Sequence, residues 1–290
     1  CFEKRMKKVL IIGASGSLGS QLMKDFLEGF EVTGTGTYHT YRKNNLINLD
    51  ITREKEVSKV LKKEGPDIII IAAAKTNVEA CELNPEETAR VNILGIQNIV
   101  NNCNGQKIVF YSSDNVFDGV KRLYKEEDIL NPINCYGKSK LEGEIIIKQN
   151  IDHLICRSSR LYGLEKECPK YMNKIINLLG KGKVIKAPIN SEGNFSFIPD
   201  VSRATKELIK RNKKGTYHVA GAGIYSLYNS ALKAAEIFGF NKELIIPVNK
   251  EFFNDKVKRP SSPLDISKLE KEGIKMRDLD EGFLEIKEIL

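Results

Sequence analysis

Four apolar runs, separated by stretches with helical periodicity, dominate the first 160 residues of the chain. They are "KKVLII", "DIIIIAAA", "KIVFYSS" and "HLICRSSRLYG", beginning at residues 7, 67, 107 and 153. Near-continuous apolar strands that alternate with helices are typical of parallel strands covered on both faces. We therefore expect a doubly wound parallel α/β sheet over residues 6–160, to which segments near 195–220 can return, and a smaller C-terminal α/β cap for substrate over residues 161–290.

A glycine-rich turn joins the first apolar run to the first predicted helix. In "GASGSLG" the glycines have the spacing G-x-x-G-x-x-G. Glycines at this spacing permit a tight turn, close approach of the backbone to a diphosphate and packing of the helix on the strand, while the helix amino terminus offers free N–H groups. The motif predicts a Rossmann-type dinucleotide site, with contacts from Gly13, Ser15, Gly16, Ser17, Leu18 and Gly19.

A Thr-rich segment, "EVTGTGTYHT", follows the first predicted helix and is expected to be the second strand along the chain. The residues at its end indicate which dinucleotide binds. A carboxylate there would hold the ribose 2′-hydroxyl of NAD, but the stretch "TGTYHTYRK" contains none. Arg42 would instead pair with the 2′-phosphate of NADP, with His39 near the adenosine phosphate. NADP(H) is therefore favoured, and NAD(H) stays open. Asp50, in "NLDIT", either reaches the adenine amine or caps the helix that follows.

Tyr136 and Lys140 are four residues apart in a predicted helix and so share one of its faces. A phenol with the ordinary pKa of about 10 is a poor proton carrier at neutral pH, but a neighbouring ammonium and a cationic nicotinamide ring favour the phenolate and lower that pKa. Tyr136 can then donate a proton to a carbonyl oxygen as a hydride arrives at its carbon. Ser113, at the end of the central strand "KIVFYSS", can hydrogen-bond the same oxygen. We expect these three residues to be catalytic.

Six segments of the chain together resemble the extended short-chain dehydrogenase/reductase superfamily, and within it they are most similar to the dTDP-4-dehydrorhamnose reductases and their relatives. They are "GASGSLG", "AAAKTNVEACELNPEETARVN", "SSDNVFDG", "NPINCYGKSKLEGE", "RSSRLYG" and "RPSSPLDISKLEKEGI". Such enzymes reduce the 4-keto group of a nucleotide-linked 6-deoxyhexose with NADPH or NADH, and the resemblance implies this reaction here. It also implies the catalytic set Ser113, Tyr136 and Lys140, the last two beside the cofactor. The further implied cofactor contacts are Gly13, Gly16, Leu18, Asp50, Ile51, Ala72, Ala73, Ala74, Thr76 and Asn92.

Two positions depart from the pattern of the rhamnose enzymes. Asn115 follows the strand-end Asp114 where those enzymes usually carry Tyr, and Arg160 stands where they carry a Trp against the sugar. A guanidinium would suit a phosphate, a carboxylate or a more polar sugar. Asp114 either binds substrate hydroxyls or caps the turn. Arg259, in "RPSSPL", either contacts the nucleotide phosphates or is a plain surface residue.

Three functions remain in competition: a reductase, an epimerase and a non-catalytic subunit. Sugar-nucleotide 4,6-dehydratases carry an Asp-Glu pair where this chain has Asp114-Asn115, and an amide cannot serve as the base, which argues against dehydration. An epimerase would use the same Tyr and Lys but hold and regenerate NAD. A non-catalytic NADP-binding subunit is the third reading, since this group also resembles the regulatory subunit of methionine adenosyltransferase. The intact catalytic set favours a reductase.

The charge and the cysteine and histidine content of the chain limit which binding partners are expected. The net charge of +8 comes from lysines scattered along helical stretches without interleaved aromatic residues, so a solvated surface is expected rather than nucleic-acid binding. Six cysteines form no C-x-x-C pair and only three histidines are present, so we expect no metal site and free thiols. No apolar run approaches the length of a membrane span. We expect a cytoplasmic protein with a nucleotide-sugar substrate and, because related reductases can be dimers, we lean toward a homodimer.

Overall fold

Strands and helices alternate along most of the chain in the computed structural model, which describes residues 5–36, 46–163 and 171–289. The strands are β1 (Lys8–Ile12), β2 (Glu31–Gly36), β3 (Ile47–Asn48), β4 (Ile68–Ile71), β5 (Lys107–Ser113), β6 (His153–Ser158), β7 (Leu161–Tyr162), β8 (Ile185–Pro188), β9 (Glu192–Asn194), β10 (Ser196–Phe197), β11 (Gly215–His218), β12 (Ile224–Ser226) and β13 (Ile245–Val248). The helices are α1 (Ser17–Phe26), α2 (Glu54–Glu64), α3 (Val78–Leu83), α4 (Pro85–Ala89), α5 (Gly95–Asn101), α6 (Cys135–Ile147), α7 (Tyr171–Gly180), α8 (Ile198–Lys210), α9 (Leu227–Phe238), α10 (Ser267–Lys271) and α11 (Leu279–Ile289).

Seven strands form one parallel sheet in the order β11-β6-β5-β4-β1-β2-β3. The order runs outward in opposite directions from β1 and β4, which makes the gap between their carboxyl ends the switch point where ligands bind in such sheets. Leu10 and Ile12 pack into the layer that contains α2, α5 and α6, whereas Val9 and Ile11 pack toward α1 and α8. The expected doubly wound sheet, covered on both faces, is confirmed.

A second, smaller group of elements follows β6. There β7 pairs with β10, β9 with β12 and β8 with β13. Two apolar clusters support this group, one around Phe197 and Phe283 and one around Ile185. The chain also returns to the large sheet, because β11 pairs with β6 and Lys206 of α8 donates to the Asp25 carbonyl at the end of α1 at 2.5 Å. A domain boundary at residue 160 stays a prediction.

The apolar run "HLICRSSRLYG" does not form one strand. β6 ends at Ser158, and Arg160 adopts a left-handed backbone with a φ of 41°. Left-handed φ is uncommon for a residue with a side chain, and here it turns the chain away from the large sheet so that β7 pairs with β10. None of the described helices combines the length and apolar character that crossing a bilayer requires.

Candidate active site

The glycine-rich turn between β1 and α1 can be built only with glycine at two of its positions. Gly13 has a φ of 88°, and a Cβ there would lie 2.6 Å from the Ala73 nitrogen. A Cβ at Gly19 would lie 2.1 Å from the Gly13 carbonyl oxygen. Gly16 is exposed, and the first turn of α1 carries neither an acidic side chain nor a side-chain cap. Its free N–H groups and the positive end of the helix dipole therefore fit an anionic diphosphate.

The residues that follow β4 border this turn. Ala72 donates its N–H to the last carbonyl of β1 at 2.9 Å, and Ala73 lies against Gly13. Ala74 is half-buried and Thr76 is exposed. The glycine turn and the end of β4 thus meet at the switch point of the sheet, where the sequence predicts the dinucleotide.

Asn92 is buried and holds the backbone after β4 against α6. Its side chain accepts from the Lys75 N–H at 2.9 Å and donates to the Lys75 carbonyl at 3.0 Å. It also donates to Ser139 Oγ at 2.9 Å, and Ser139 donates to the Tyr136 carbonyl at 2.7 Å. A π-helical turn, Arg90–Leu94, carries Asn92 between α4 and α5, and such turns are frequent at functional sites.

Asp50 forms a turn before α2. Its carboxylate accepts from the Thr52 N–H at 2.9 Å and from Thr52 Oγ1 at 2.8 Å, and Arg53 lies 3.4 Å away. Burial raises the pKa of Asp50, but these hydrogen bonds and the charge of Arg53 outweigh it, so the pKa is lowered overall. The next residue, Ile51, is buried, and Asn98 holds its carbonyl at 2.9 Å. Asp50 therefore forms a turn but does not cap α2, whose N-cap residue is Arg53 and which has no side-chain cap. Its contact with adenine stays a prediction.

Ser113, Tyr136 and Lys140 come together at the carboxyl end of β5. All three are buried, and the Ser113 hydroxyl lies near enough to the Tyr136 phenol to lower its pKa. Lys140 lies one turn further along α6, with its Nζ 4.4 Å from the centre of the Phe110 ring. The start of α6 is fixed by Asn134, whose side chain accepts from the Gly137 N–H at 2.8 Å. A phenol, a hydroxyl and an amine are thus presented together at one strand end.

Burial dominates the proton affinities of this group. It raises the pKa of Tyr136 well above its usual value, while the neighbouring Ser113 hydroxyl lowers it and the charge of Asp114 raises it. Burial lowers the pKa of Lys140 to about 8, against the opposing effect of Glu144. The sequence predicts a phenolate favoured by the ammonium, but within the chain itself burial prevails. Tyr136 is therefore a protonated acid at neutral pH.

Asp114 is the centre of a buried hydrogen-bond network beside Ser113. Its Oδ1 accepts from Ser113 Oγ at 2.9 Å and from Asn115 Nδ2 at 3.0 Å. Its Oδ2 accepts from Ser159 Oγ at 2.7 Å, and Asn115 Oδ1 in turn accepts from Asn134 at 3.0 Å. Both oxygens of the carboxylate are engaged within the chain, so Asp114 holds the Ser113 hydroxyl in place.

Arg160 is tied to the smaller group of elements. Its guanidinium donates to the Ser191 carbonyl and to Ser191 Oγ at 3.1 Å, and to the Glu192 carbonyl at 2.9 Å. It also lies 5.2 Å from the centre of the Phe195 ring. These contacts link the end of β6 to β9, and binding of a polar sugar by Arg160 stays a prediction.

Arg259 bridges two carboxylates. It lies 2.9 Å from Asp255 on its own segment and 2.9 Å from Glu79 on α3. The side chain is partly exposed, and its charge is compensated inside the chain. Its contact with a nucleotide phosphate stays a prediction.

No motif in the sequence singled out Asn98, Ser139 or a buried pair formed by Glu144 and Arg157. For Glu144 the sequence did contain a signal: it follows Lys140 by four residues, which places both on one helical face. His39 and Arg42 lie outside the described residues. Within the described residues, no group of three His, Cys, Asp or Glu side chains is arranged to hold a metal ion.

Comparison with known proteins agrees with this geometry. The family model described as "RmlD substrate binding domain" matches residues 6–288. The "Probable low-salt glycan biosynthesis reductase Agl14" of Haloferax volcanii is 31% identical over 90% of this chain and 91% of its own length. The "Methionine adenosyltransferase 2 subunit beta" of Bos taurus is 28% identical over 93% of this chain and 84% of its own.

Among solved structures, the dTDP-4-dehydrorhamnose reductase of Bacillus anthracis in complex with NADP superposes with a TM-score of 0.89. It is 28% identical, and the match covers 99% of this chain and 100% of that one. The resemblance to these reductases that the motifs predict is therefore confirmed. Because the family model covers nearly the whole chain, this protein belongs to the RmlD substrate-binding-domain family, within the extended short-chain dehydrogenase/reductase superfamily.

Proposed function

We propose that this protein reduces the 4-keto group of a nucleotide-linked 6-deoxysugar with NADPH. The observation that carries the proposal is the convergence of Ser113, Tyr136 and Lys140 at the end of β5, beside a glycine turn that fits a diphosphate. The similarity to a reductase solved with NADP, over almost all of both chains, supports the same reaction.

The proposed cofactor site lies along the carboxyl edge of β1, β4 and β5. The glycine turn and the first turn of α1 would hold the diphosphate, and the residues after β4 would line the site. When bound, the dinucleotide supplies the hydride. NADPH is preferred over NADH in this proposal because residues 32–45 contain no carboxylate to repel a 2′-phosphate and include Arg42.

The chemistry assigned to the chain's own residues is proton transfer to the substrate oxygen. Tyr136 donates the proton. The Ser113 hydroxyl, whose single O–H donates to Asp114 in this structure, would turn that O–H to the same substrate oxygen. As the phenol loses its proton, the neighbouring Lys140 ammonium stabilises the phenolate. Acid–base assistance of this kind contributes on the order of 10²–10⁴ in rate.

One observation favours a second candidate, a non-catalytic NADP-binding subunit. The bovine relative is named as a subunit of methionine adenosyltransferase and matches most of this chain. Such a subunit would bind the dinucleotide and a partner enzyme without turnover. An NAD-dependent epimerase is the third candidate, because it would use the same phenol and amine.

The proposal also covers the cellular compartment, the binding partners and the assembly of the protein. The described cysteines 81, 103, 135 and 156 are free thiols, as is usual in a reducing compartment, and this supports a cytoplasmic site of action. We propose a nucleotide sugar as the substrate, no nucleic-acid partner and a homodimeric assembly.

The test is NADPH oxidation by the purified protein against dTDP-, UDP- and GDP-linked 4-keto-6-deoxysugars, followed by product analysis. A reductase consumes NADPH in proportion to the product, and Tyr136→Phe abolishes the signal. An epimerase interconverts the sugars without net consumption of NADPH. If the protein binds NADPH but turns over none of these sugars, the non-catalytic subunit would be favoured.

A further inference from the structure

Three polar side chains lie side by side across the sheet, immediately before its catalytic edge. In the sheet register, Arg157 on β6 is the partner of Ser112 on β5 and of His218 on β11. Residues in register share one face of a sheet, so the three form a row. All are buried, and Arg157 is only 1% exposed. A buried guanidinium requires a compensating charge.

Glu144 on α6 supplies that charge. Its carboxylate, 0% exposed, accepts from Arg157 Nε at 2.8 Å and from Arg157 Nη2 at 2.7 Å. It also accepts from Ser112 Oγ at 2.6 Å. Two-point pairing of this kind is strong and directional, so it fixes the position of α6 on both β5 and β6. The approach is close, because a Cβ at Gly143 would lie 2.8 Å from the Phe110 ring.

Lys140 lies one helical turn before Glu144 on the same face of α6. Its Nζ faces the Phe110 ring, and among the described residues we find no hydrogen bond to it. Tyr136 occupies the preceding turn. The charge of Cys81 on α3 raises the pKa of Lys140. Glu144 is the carboxylate whose charge opposes the effect of burial on Lys140.

We propose that Glu144 is a positioning residue for the reaction, acting through Arg157 and Ser112 on the placement of α6 and through its charge on Lys140. The inference rests on the proposed function. Arg157 extends the same support to the loop after β5, since its Nη1 donates to the Glu126 carbonyl at 3.1 Å. Without Glu144, Arg157 would be an unpaired cation, and Lys140 would lose its proton at a lower pH.

The test compares Glu144→Gln, which keeps the shape and removes the charge, with Asp152→Asn. The control breaks the Lys107–Asp152 pair, 2.7 Å long, at the opposite end of β5 and β6. Turnover is measured from about pH 6 to about pH 9, a range that includes the lowered pKa of Lys140. The pH midpoint of Lys140 is measured separately by competitive acetylation and mass spectrometry.

We expect Glu144→Gln to lower kcat by about tenfold or more and to move both the alkaline loss of activity and the Lys140 midpoint to lower pH. Asp152→Asn should leave both unchanged. Unaltered kcat and an unaltered Lys140 midpoint in Glu144→Gln would overturn the inference. The acetylation needs no substrate, so a protein that reduces no sugar would refute the proposed function while the Lys140 midpoint still decides this inference.

A second variant separates positioning from stability. Removing one partner of a buried ion pair destabilises a protein, whereas replacing both by apolar residues often does not. Glu144→Leu with Arg157→Met should therefore unfold at a temperature closer to that of the unsubstituted protein than Glu144→Gln does, while kcat stays low. Recovery of kcat together with stability would show that the pair is only a structural support.

Discussion

Ser159 and Asp114, which follow the ends of two neighbouring strands, are joined by a hydrogen bond of 2.7 Å. The other oxygen of the same carboxylate accepts from Ser113 at 2.9 Å. A buried carboxylate with donors on both oxygens is held rigidly, and so is the hydroxyl that it accepts from. The orientation of Ser113 is thereby set by a residue that need not touch the substrate.

Asp114→Asn should lower kcat by about tenfold, within the range ascribed to one misplaced acid–base group, while NADPH affinity is retained. The amide keeps one acceptor oxygen and turns an N–H group toward one of the donors, Ser113 or Ser159. Steady-state kinetics and an NADPH fluorescence titration check this. An equal loss of NADPH affinity would mean that Asp114 supports the cofactor site instead.

Tyr136→Phe should lower kcat by about 10²-fold or more with little change in NADPH affinity, because only the proton donor is removed. The matched control is Tyr111→Phe, which deletes another buried hydroxyl of the same region, bonded to Thr205 at 2.8 Å. Stopped-flow NADPH oxidation compares the two. Near-normal turnover in Tyr136→Phe would remove this residue from the mechanism.

Lys140→Met should abolish turnover yet stabilise the fold at neutral pH. The pKa of Lys140 is lowered by burial from 10.5 to about 8, so the unfolded chain binds more protons between these values and stability rises with pH across that window. Below pH 8 the folded protein bears the full free-energy cost of burying the Lys140 ammonium, on the order of 3 kcal/mol. Urea unfolding at pH 7 measures it. A less stable Met variant would show that the ammonium is well solvated in the folded protein.

Gly16→Ala should weaken NADPH binding about tenfold or more without altering the unfolding temperature. Among the described residues, a Cβ at Gly16 comes within 4 Å of the Gly13 carbonyl alone, at 3.5 Å, and it lies on an exposed turn where the diphosphate is expected. Gly19→Ala is the contrasting variant, since its Cβ would overlap that carbonyl and destabilise the fold. Calorimetry of both variants with and without NADPH decides. Unchanged affinity in Gly16→Ala would place the diphosphate elsewhere.

Arg42→Ala should weaken NADPH much more than NADH, because only NADPH carries the 2′-phosphate that a guanidinium would bind. The two dissociation constants, each compared with that of the unsubstituted protein, provide the measurement. Equal losses for both cofactors would show that Arg42 does not read the 2′-phosphate. The prediction depends on the sequence alone, because residue 42 lies outside the described part of the chain.

The amino-acid sequence by itself determined the doubly wound sheet, the glycine turn and the trio Ser113, Tyr136 and Lys140. These follow from local relations: an apolar run must be covered on both faces, a tight turn needs glycine, and residues four apart share a helical face. The break at Arg160 did not follow, since its left-handed φ depends on which strand pairs next.

Only the tertiary structure decided the proton affinities and the supporting contacts. Burial raises the pKa of Tyr136 where the sequence favoured a phenolate, because desolvation depends on everything packed around the phenol. The pairing of Glu144 with Arg157 likewise joins α6 to the strand that follows it, and the packing of α6 on the sheet brings the two side chains together. The register of β5 and β6 adds Ser112 to the pair. Spacing predicts which side chains share an element, whereas packing decides which of them meet and in which charge state.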